Sequence, residues 1–304
     1  LLKKLSGSFD FYSRYSSDLL ADKSLDPSTG FTTARVNNGA MRNTGIELSL
    51  TYDWLKSRDW SLSTTLTAAY NKNKIKEVGY IPTDAIDMMQ YPTNYYLKGD
   101  AYNSLYAYRY AGLTEDGNPS IYDTEGNVVS IQPVRDINAL IVAGQLDPKW
   151  NGAFDLSLSW KSLNFFTKII YYTGHSLRAD ATPLYTGIGN STLAATGAIH
   201  EDIANRWTPG NTNTDIPSMN VYGTAGEREY HWQYSDYNVV TASFIKIRNI
   251  GLNYTLPQEW LGKSGFKNIS LRAQINNPCY WAANNRDIDP ESFYANSGTR
   301  TSKL

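Results

Sequence analysis

The chain lacks the residues and motifs on which most catalytic and disulfide-stabilised proteins depend. It contains one cysteine, Cys279, which excludes a disulfide within the chain and a thiolate cluster for zinc or iron–sulfur. Its few histidines form no HExxH motif, and neither a phosphate-cradling glycine loop nor a Gly-x-Ser-x-Gly motif occurs. These absences argue against the common catalytic chemistries, so we expect that the protein is not an enzyme.

The chain also carries almost no net charge and contains no long apolar run. The 28 Lys and Arg residues balance 29 Asp and Glu residues, so the composition gives no sign of attraction to nucleic acid. No run of about 18 apolar residues occurs, which excludes an ordinary transmembrane helix. A membrane-spanning β-strand is not excluded, because it needs only about 9 to 11 residues and half of them can be polar.

Alternation of apolar and polar residues is the strongest pattern that is present. Residues 46–54 place Ile, Leu, Tyr and Trp at every second position, and residues 60–70 repeat this pattern after a short turn. A period of two predicts long antiparallel strands with one apolar and one polar face. Trp54 and Trp60 lie at the turn end, where membrane barrels carry aromatic girdles. The pattern therefore predicts a hairpin that crosses a lipid bilayer.

The same alternation recurs and predicts seven strands in all. The strands at 5–17, 60–75, 163–174 and 267–277 run outward and the other three run back, with three short joints. The connections at 18–43, 76–149 and 175–239 are long, and barrels of the outer membrane have short turns at one end and long loops at the other. Between residues 241 and 256 the apolar positions change parity, which predicts a β-bulge near Arg248 and Asn249. Pro278 has no backbone donor and is expected to end the last strand.

Seven strands with an unpaired edge would be costly in lipid. We therefore expect at least one strand after residue 304 and more strands before residue 1, so that the sequence is part of a longer protein. If the apolar faces meet lipid, the polar positions face a lumen. The predicted lumen-facing residues are Glu47, Asp53, Asp155, Lys168, Arg272 and Gln274.

Several stretches resemble the SusC/RagA-type TonB-dependent transporters. The run VNNGAMRNTGIEL at 36–48 resembles the signature with which that family enters a late barrel strand. Similar stretches follow in the family's order: YRYAGL at 108–113, NRWTP and NTDIP within 205–217, and SFIKIRNI at 243–250. The resemblance implies an all-β fold, the C-terminal portion of about seven strands from a 22-stranded antiparallel transmembrane β-barrel with long extracellular loops.

The resemblance also implies a cellular location and a function. Members of the family sit in the outer membrane of Bacteroidetes, pair with a SusD-like surface lipoprotein and import glycans or peptides with energy relayed by TonB. The family's plug domain, TonB box and closing strand lie outside residues 1–304, and Asn277-Pro278-Cys279-Tyr280 departs from the usual Asn-Leu-aromatic stretch. Two other functions stay open, a soluble carbohydrate-binding β-sandwich with a dry core and a passive outer-membrane porin.

Aromatic residues in the long loops are the candidate ligand-binding residues. Flat rings flanked by polar side chains suit sugar rings and extended peptides alike, although such rings can equally pack loops against each other. Asp287, Asp289 and Glu291 alternate in a way that could hold calcium, without the full EF-hand spacing, and no other cofactor is expected. The aromatic candidates are Tyr95, Tyr96, Tyr106, Tyr108, Trp207, Trp232 and Tyr234.

Overall fold

A computed structural model of the protein describes residues 4–31, 33–80, 82–92, 94–181, 201–219, 225–262 and 265–292. In these ranges we find no helix with the length and apolar character needed to cross a membrane. The helices are α1 (Ala85–Gln90), α2 (Ala225–Gln233) and α3 (Gln258–Leu261), with 3-10 helices at Pro27–Thr29, Ile137–Ala139, Glu201–Asn205, Asp236–Asn238 and Pro290–Ser292. The strands are β1 (Leu5–Ser24), β2 (Thr33–Lys56), β3 (Trp60–Glu77), β4 (Ser104–Tyr108), β5 (Tyr110–Leu113), β6 (Pro119–Tyr122), β7 (Val128–Val129), β8 (Leu140–Gln145), β9 (Trp150–Trp160), β10 (Leu163–Thr173), β11 (Ser176–Arg178), β12 (Val239–Thr241), β13 (Phe244–Thr255) and β14 (Ser270–Ala282).

Seven long strands form one antiparallel sheet in the order β1-β2-β3-β9-β10-β13-β14. Each strand pairs with its neighbours in the chain order of the long strands, the edge strands β1 and β14 with one neighbour each, which confirms the predicted number of strands. Residues 57–59, 161–162 and 256–269 connect strands at one end of the sheet, which we call the turn end. The other connections leave from the opposite end, which we call the loop end.

The connection predicted at 18–43 is wrong in its extent. β1 continues to Ser24 and β2 begins at Thr33, so that Lys23 still pairs with Ala34. An irregularity near Asp18, whose φ is 56°, interrupts the ladder without ending it. Backbone hydrogen bonds do not require alternating side chains, and the hairpin therefore projects beyond the part of its sequence that alternates.

The register places apolar and polar residues on opposite faces of the sheet. Phe154 lies in the middle of the central strand and is nevertheless 36% exposed, and Leu66 beside it is 41% exposed. A soluble two-layer protein would cover such residues with a second layer, and the described elements leave them uncovered. One row of the apolar face consists of the cross-strand neighbours Leu50, Leu66, Phe154, Ile169 and Ile247.

Two rows of aromatic rings bound this apolar face. At the turn end, the rings of Trp60 and Trp160 stack with their centroids 5.7 Å apart. Towards the loop end, the centroids of Tyr70 and Trp150 are 4.7 Å apart. The ten positions from Trp60 to Tyr70 span about 33 Å along a strand, or about 25 Å of height at the tilt of a barrel strand. This height matches the apolar band of an outer-membrane barrel.

The predicted bulge in β13 is confirmed. Lys168 pairs with Asn249 and the next residue of β10 pairs with Ile247, so Arg248 is the extra residue. The prediction that Pro278 ends the last strand is wrong, because β14 continues to Ala282. Pro278 lies where the β13–β14 register also shifts, next to Asn277 with φ 50°, so its missing donor does not interrupt a regular ladder.

The connections at the loop end fold into small sheets and a buried core. β4 pairs with β8, β5, β6 and β7 form a three-stranded sheet, and β11 pairs with β12. The Asp84 side chain caps α1 by accepting hydrogen bonds from the backbone of Ile86 and Asp87, which satisfies two free donors of the first turn. We call these connections, with β4–β8, β11, β12, α1 and α2, the loop body. Its apolar core contains Ile86, Met88, Met89, Tyr106, Tyr108, Ile121 and Tyr234.

Candidate functional site

A cavity of about 1240 Å³ lies where the loop end of β13 and β14 meets the loop body. Its walls come from β12, the first half of β13, the end of β14, and residues 179–180, 201–202 and 283–292. Both signs of charge are present in its lining, together with asparagine amides and tyrosine rings. The charged residues are Asp180, Glu201, Asp202, Lys246, Arg248, Arg286, Asp287, Asp289 and Glu291.

Four of these charges form a network that we call the charge clasp: Lys246, Arg248, Asp289 and Glu291. The buried ammonium of Lys246 donates to Asp289 Oδ2 at 3.0 Å and to Glu291 Oε2 at 2.5 Å. Arg248 also pairs with Glu291, and donates to Asn277 Oδ1 at 3.1 Å. Because the cations lie on β13 and the carboxylates follow β14, the clasp holds the segment 283–292 against the sheet and closes one wall of the cavity.

The charge clasp shows that the prediction of a calcium site at Asp287, Asp289 and Glu291 is wrong. An ammonium and a guanidinium neutralise Asp289 and Glu291, so these carboxylates are engaged by protein cations. Asp287 has a positive φ of 53° and lines the cavity without joining the clasp. Over the ranges that the structure describes, no group of three or more His, Cys, Asp and Glu side chains could hold a metal ion.

Arg286 fixes another wall of the cavity. Its guanidinium donates to Asn238 Oδ1 at 3.2 Å and lies 5.1 Å from the centre of the Tyr237 ring. Asp202 is 4.0 Å away, which is a weak ion pair. The Tyr237 ring in turn packs against Trp232, with 5.1 Å between ring centroids. Arg286 therefore joins the cavity to the aromatic core of the loop body.

Four of the seven aromatic candidates are buried, which corrects their predicted role as ligand contacts. Tyr106, Tyr108, Trp232 and Tyr234 are at most 5% exposed. The Tyr106 hydroxyl donates to Asp100 Oδ2 at 2.9 Å, and the Tyr108 hydroxyl donates to the Val134 carbonyl. Burial raises the pKa of both phenols above its usual value, because the phenolate would lose its water. These rings pack the loops together, which is the alternative that the sequence left open.

The other three aromatic candidates keep part of their surface exposed. Tyr95 and Tyr96 are half-buried, and Tyr96 stacks on Tyr102 with ring centroids 5.0 Å apart. Trp207 lies over Gly117, which has a positive φ of 72° and where a Cβ would be 2.5 Å from the indole. Glycine is required there for both reasons. Contact of Tyr95, Tyr96 or Trp207 with a ligand stays a prediction.

A buried arginine, absent from the residues predicted from the sequence, holds the loop body together. The Arg178 guanidinium donates to the carbonyls of Tyr106, at 2.6 Å, and Gln233, at 3.5 Å, and lies 5.0 Å from the centre of the Tyr234 ring. Full burial lowers the pKa of Arg178 to about 10. Carbonyl oxygens and a ring face replace water around the charge, so Arg178 joins β11 to β4 and to the end of α2.

The predicted lumen-facing residues all lie on the polar face of the sheet. Lys168 pairs with Asp155 at 3.3 Å across β10 and β9. Arg272 donates to Gln274 at 2.5 Å and lies 5.0 Å from the centre of the Phe166 ring. Glu47 and Asp53 face the same side on β2, opposite Ala69 and Ser63 of β3. That this face lines a passage stays a prediction at this point.

The cationic half of the charge clasp is absent from the site residues predicted from the sequence. Lys246 and Arg248 occur in the stretch SFIKIRNI, where they interrupt an apolar strand immediately before its change of parity. Two cations in such a position are a signal for buried carboxylate partners. The partners lie 43 and 45 residues further on, so local spacing could not identify them.

Comparisons with known proteins agree on one kind of relative. The chain is 26% identical to the TonB-dependent receptor P3 of Formosa agariphila, over 98% of this chain and 30% of the receptor. It is 26% identical to the TonB-dependent receptor SusC of Bacteroides thetaiotaomicron, over 95% of this chain and 28% of that receptor. No family model matches the sequence.

Solved structures of the RagAB peptide importer share the fold. In the open-open state the TM-score is 0.73 at 23% identity, covering 98% of this chain and 31% of the RagAB chain. The structure described as the RagAB peptide transporter gives a TM-score of 0.72 at 24% identity, over 98% of this chain and 32% of that chain. The chain thus spans about 30% of the length of the curated relatives that it matches.

Proposed function

We propose that this chain, which is similar to SusC/RagA-type TonB-dependent transporters of the outer membrane, forms part of the barrel wall and outer loops of an active nutrient importer. We further propose that it is the C-terminal part of that barrel, and that a plug domain, a TonB box and a closing strand complete the protein. The imported nutrients are glycans or peptides, received together with a SusD-like lipoprotein.

The uncovered apolar face is the observation that supports a membrane wall. Phe154 and Leu66 lie in the middle of the sheet with their side chains outward, between two rows of aromatic rings. The distance between those rows fits the apolar band of a bilayer of about 25 Å. In the alternative soluble β-sandwich the same side chains would need a second layer over them.

The opposite face suits a water-filled passage. Its side chains are mainly hydroxyls and amides, with the Asp155–Lys168 pair near the middle and Arg272 and Gln274 on the edge strand. Short polar side chains leave space for water and for a hydrophilic substrate. The cavity at the loop end lies on this side of the sheet, because Lys246 on its floor shares the parity of the polar face.

The cavity is the proposed site at which substrate meets this part of the barrel. It offers a guanidinium at Arg286, an amide at Asn285, and the rings of Tyr237 and Tyr280. This mixture of hydrogen-bonding groups and ring faces suits peptide backbones and sugar hydroxyls. Tyr95, Tyr96 and Trp207 are proposed as further contacts on the outer loops.

Fluorescence quenching by lipids brominated in their acyl chains tests the membrane placement. The full-length protein is reconstituted in such bilayers, and Trp60→Phe and Trp160→Phe should each remove part of the quenchable signal. Trp207→Phe, in a loop, is the matched control and should leave the quenchable signal unchanged. A full-length protein that is monomeric in water without detergent, with no quenching at Trp60 or Trp160, would refute the proposal.

Uptake measurements separate active import from a passive pore. Cells that express the full-length protein with its lipoprotein partner should lose uptake of labelled oligosaccharide or oligopeptide when a protonophore dissipates the proton-motive force. Uptake that continues undiminished after that treatment would indicate a passive porin.

A further inference from the structure

A group of basic residues continues the apolar face beyond its outer aromatic row. Arg42, Lys72 and Lys74 are exposed, and we call them the outer basic cluster. Tyr70 marks the aromatic row on β3, and Lys72 and Lys74 follow it at the next two positions of the same parity. Arg42 is the direct cross-strand neighbour of Lys74 on β2. All three therefore lie on the outward face of the sheet, above the apolar band.

The arrangement leaves like charges facing one another. Cations directly opposite on neighbouring strands destabilise a sheet, and Arg42 and Lys74 are such a pair. Within the described part of the chain, no carboxylate forms an ion pair with Arg42, Lys72 or Lys74. On the polar face of the same sheet, by contrast, Lys168 is paired with Asp155 at 3.3 Å. An anion from outside this part of the protein would relieve the repulsion in the outer basic cluster.

The height of the cluster identifies where that anion lies. Two to four residues beyond the aromatic row correspond to about 5–10 Å above the apolar band for a tilted strand. Aromatic girdles sit at the level of lipid headgroups, so this is the layer of headgroup phosphates. The Tyr15 ring, 5.7 Å from the Arg42 guanidinium, supports that side chain on the outward surface.

We propose that the outer basic cluster binds the phosphate of a phosphorylated glycolipid in the outer leaflet of the outer membrane. Arg42 presents a planar fork of donors that fits phosphate oxygens, and Lys74 and Lys72 supply two further positive charges on the adjacent strand. One phosphate between Arg42 and Lys74 converts their repulsion into two charge-assisted hydrogen bonds. The inference rests on the membrane placement proposed above, and it adds a specific lipid contact to it.

Lipid retention by the full-length protein tests the proposal. Purified protein in detergent is mixed with phosphorylated lipid A or with the same lipid A after phosphatase treatment, and bound lipid is counted by native mass spectrometry. The test variant is Lys72→Gln with Lys74→Gln. The control is Lys56→Gln with Arg58→Gln, which removes two exposed charges from the turn end of the same hairpin.

The wild-type protein should retain phosphorylated lipid A in preference to the dephosphorylated form. Each cation near an anionic lipid surface accounts for about a fivefold change in binding, so the test variant should lose about 25-fold. The control variant should bind as the wild type does. Adding Arg42→Gln to the test variant should weaken binding by about a further fivefold.

Three outcomes would overturn the proposal. These are equal retention by test and control variants, equal retention of the two lipid forms by the wild type, and displacement by an equimolar amount of inorganic phosphate. Quenching by brominated acyl chains is measured on every variant. Normal quenching together with any of these outcomes would refute the lipid site alone, whereas absent quenching in the wild type would refute the membrane placement itself.

Discussion

Replacing Lys246 by Met should loosen the segment 283–292 while leaving the sheet intact. The Lys246 side chain is 8% exposed and donates to Asp289 at 3.0 Å and to Glu291 at 2.5 Å. A hydrogen bond to a charged group contributes about 1.5–3 kcal/mol. Glu291 keeps Arg248 as a partner, and both carboxylates are about a quarter exposed, so water compensates part of the loss. We expect the free energy that holds the segment closed to fall by about 2–3 kcal/mol.

Hydrogen exchange of the full-length protein measures this change directly. The Ser292 amide donates to the Asp289 carbonyl and the Ile288 amide to Asn284 Oδ1, each at 3.0 Å. Both hydrogen bonds must open before exchange, so a loss of about 2–3 kcal/mol should speed their exchange about 30- to 150-fold. Methionine retains the length of the lysine stem, so packing against the neighbouring rings changes little.

The matched control is Lys168→Met on the same polar face. Its ion pair with Asp155 at 3.3 Å is largely solvated, because the two side chains are 44% and 37% exposed. Such pairs contribute about 0.2–1 kcal/mol, so exchange near residues 155 and 168 should rise less than about fivefold. Equal, small effects of the two substitutions would show that the charge clasp does not hold the segment, and the reasoning would fail.

Three further predictions concern packing and pH. Gly251→Ala should lower the stability of the protein by about 1–3 kcal/mol in urea unfolding, because the added Cβ would be 2.1 Å from the Phe166 ring, whereas Gly210→Ala, in open space, should not. Tyr108→Phe should lower protection of the loop body in hydrogen exchange by about 1–3 kcal/mol, because it leaves a buried carbonyl without its donor. Burial lowers the pKa of His231 below 6.5, so the loop body should lose stability as the pH falls below 6.5, by at most about 1.4 kcal/mol per pH unit, and His231→Gln should remove that dependence in proteolysis at graded pH.

The seven-stranded sheet could be predicted from the sequence because the alternation that specifies each strand is local. Alternation with a period of two identifies each strand and its apolar face, and the change of parity between Ile247 and Ile250 locates the bulge at Arg248. The same logic fails where pairing no longer depends on side-chain pattern. β1 extends to Ser24, β2 already begins at Thr33, and β14 continues past Pro278. Backbone pairing alone holds these parts of the strands.

The candidate site could not be predicted in the same way because its contacts are distant in sequence. Lys246 meets carboxylates 43 and 45 residues away, and Arg178 meets the carbonyl of Tyr106 at a separation of 72. Aromatic spacing in the loops does not distinguish a ring that stacks on a ligand from one that packs in a core. Tyr108 and Trp232 belong to the second kind, and only their burial shows it.

In the proposed importer, the polar face of the sheet and the cavity have different roles, because their side chains differ in length. On β2, β3 and β9 most inward positions carry short side chains, as where Ser63 pairs with Ser157 and the Thr51 and Thr65 hydroxyls lie 2.9 Å apart. Short hydroxyls that bond to each other or to water would leave an open passage and would hold no particular substrate strongly. Long charged and aromatic side chains, such as Arg286 and Tyr237, gather instead at the loop end around the cavity. In the importer that we propose, discrimination among substrates therefore belongs to the loops, and the sheet supplies a wall that any substrate admitted by them can pass.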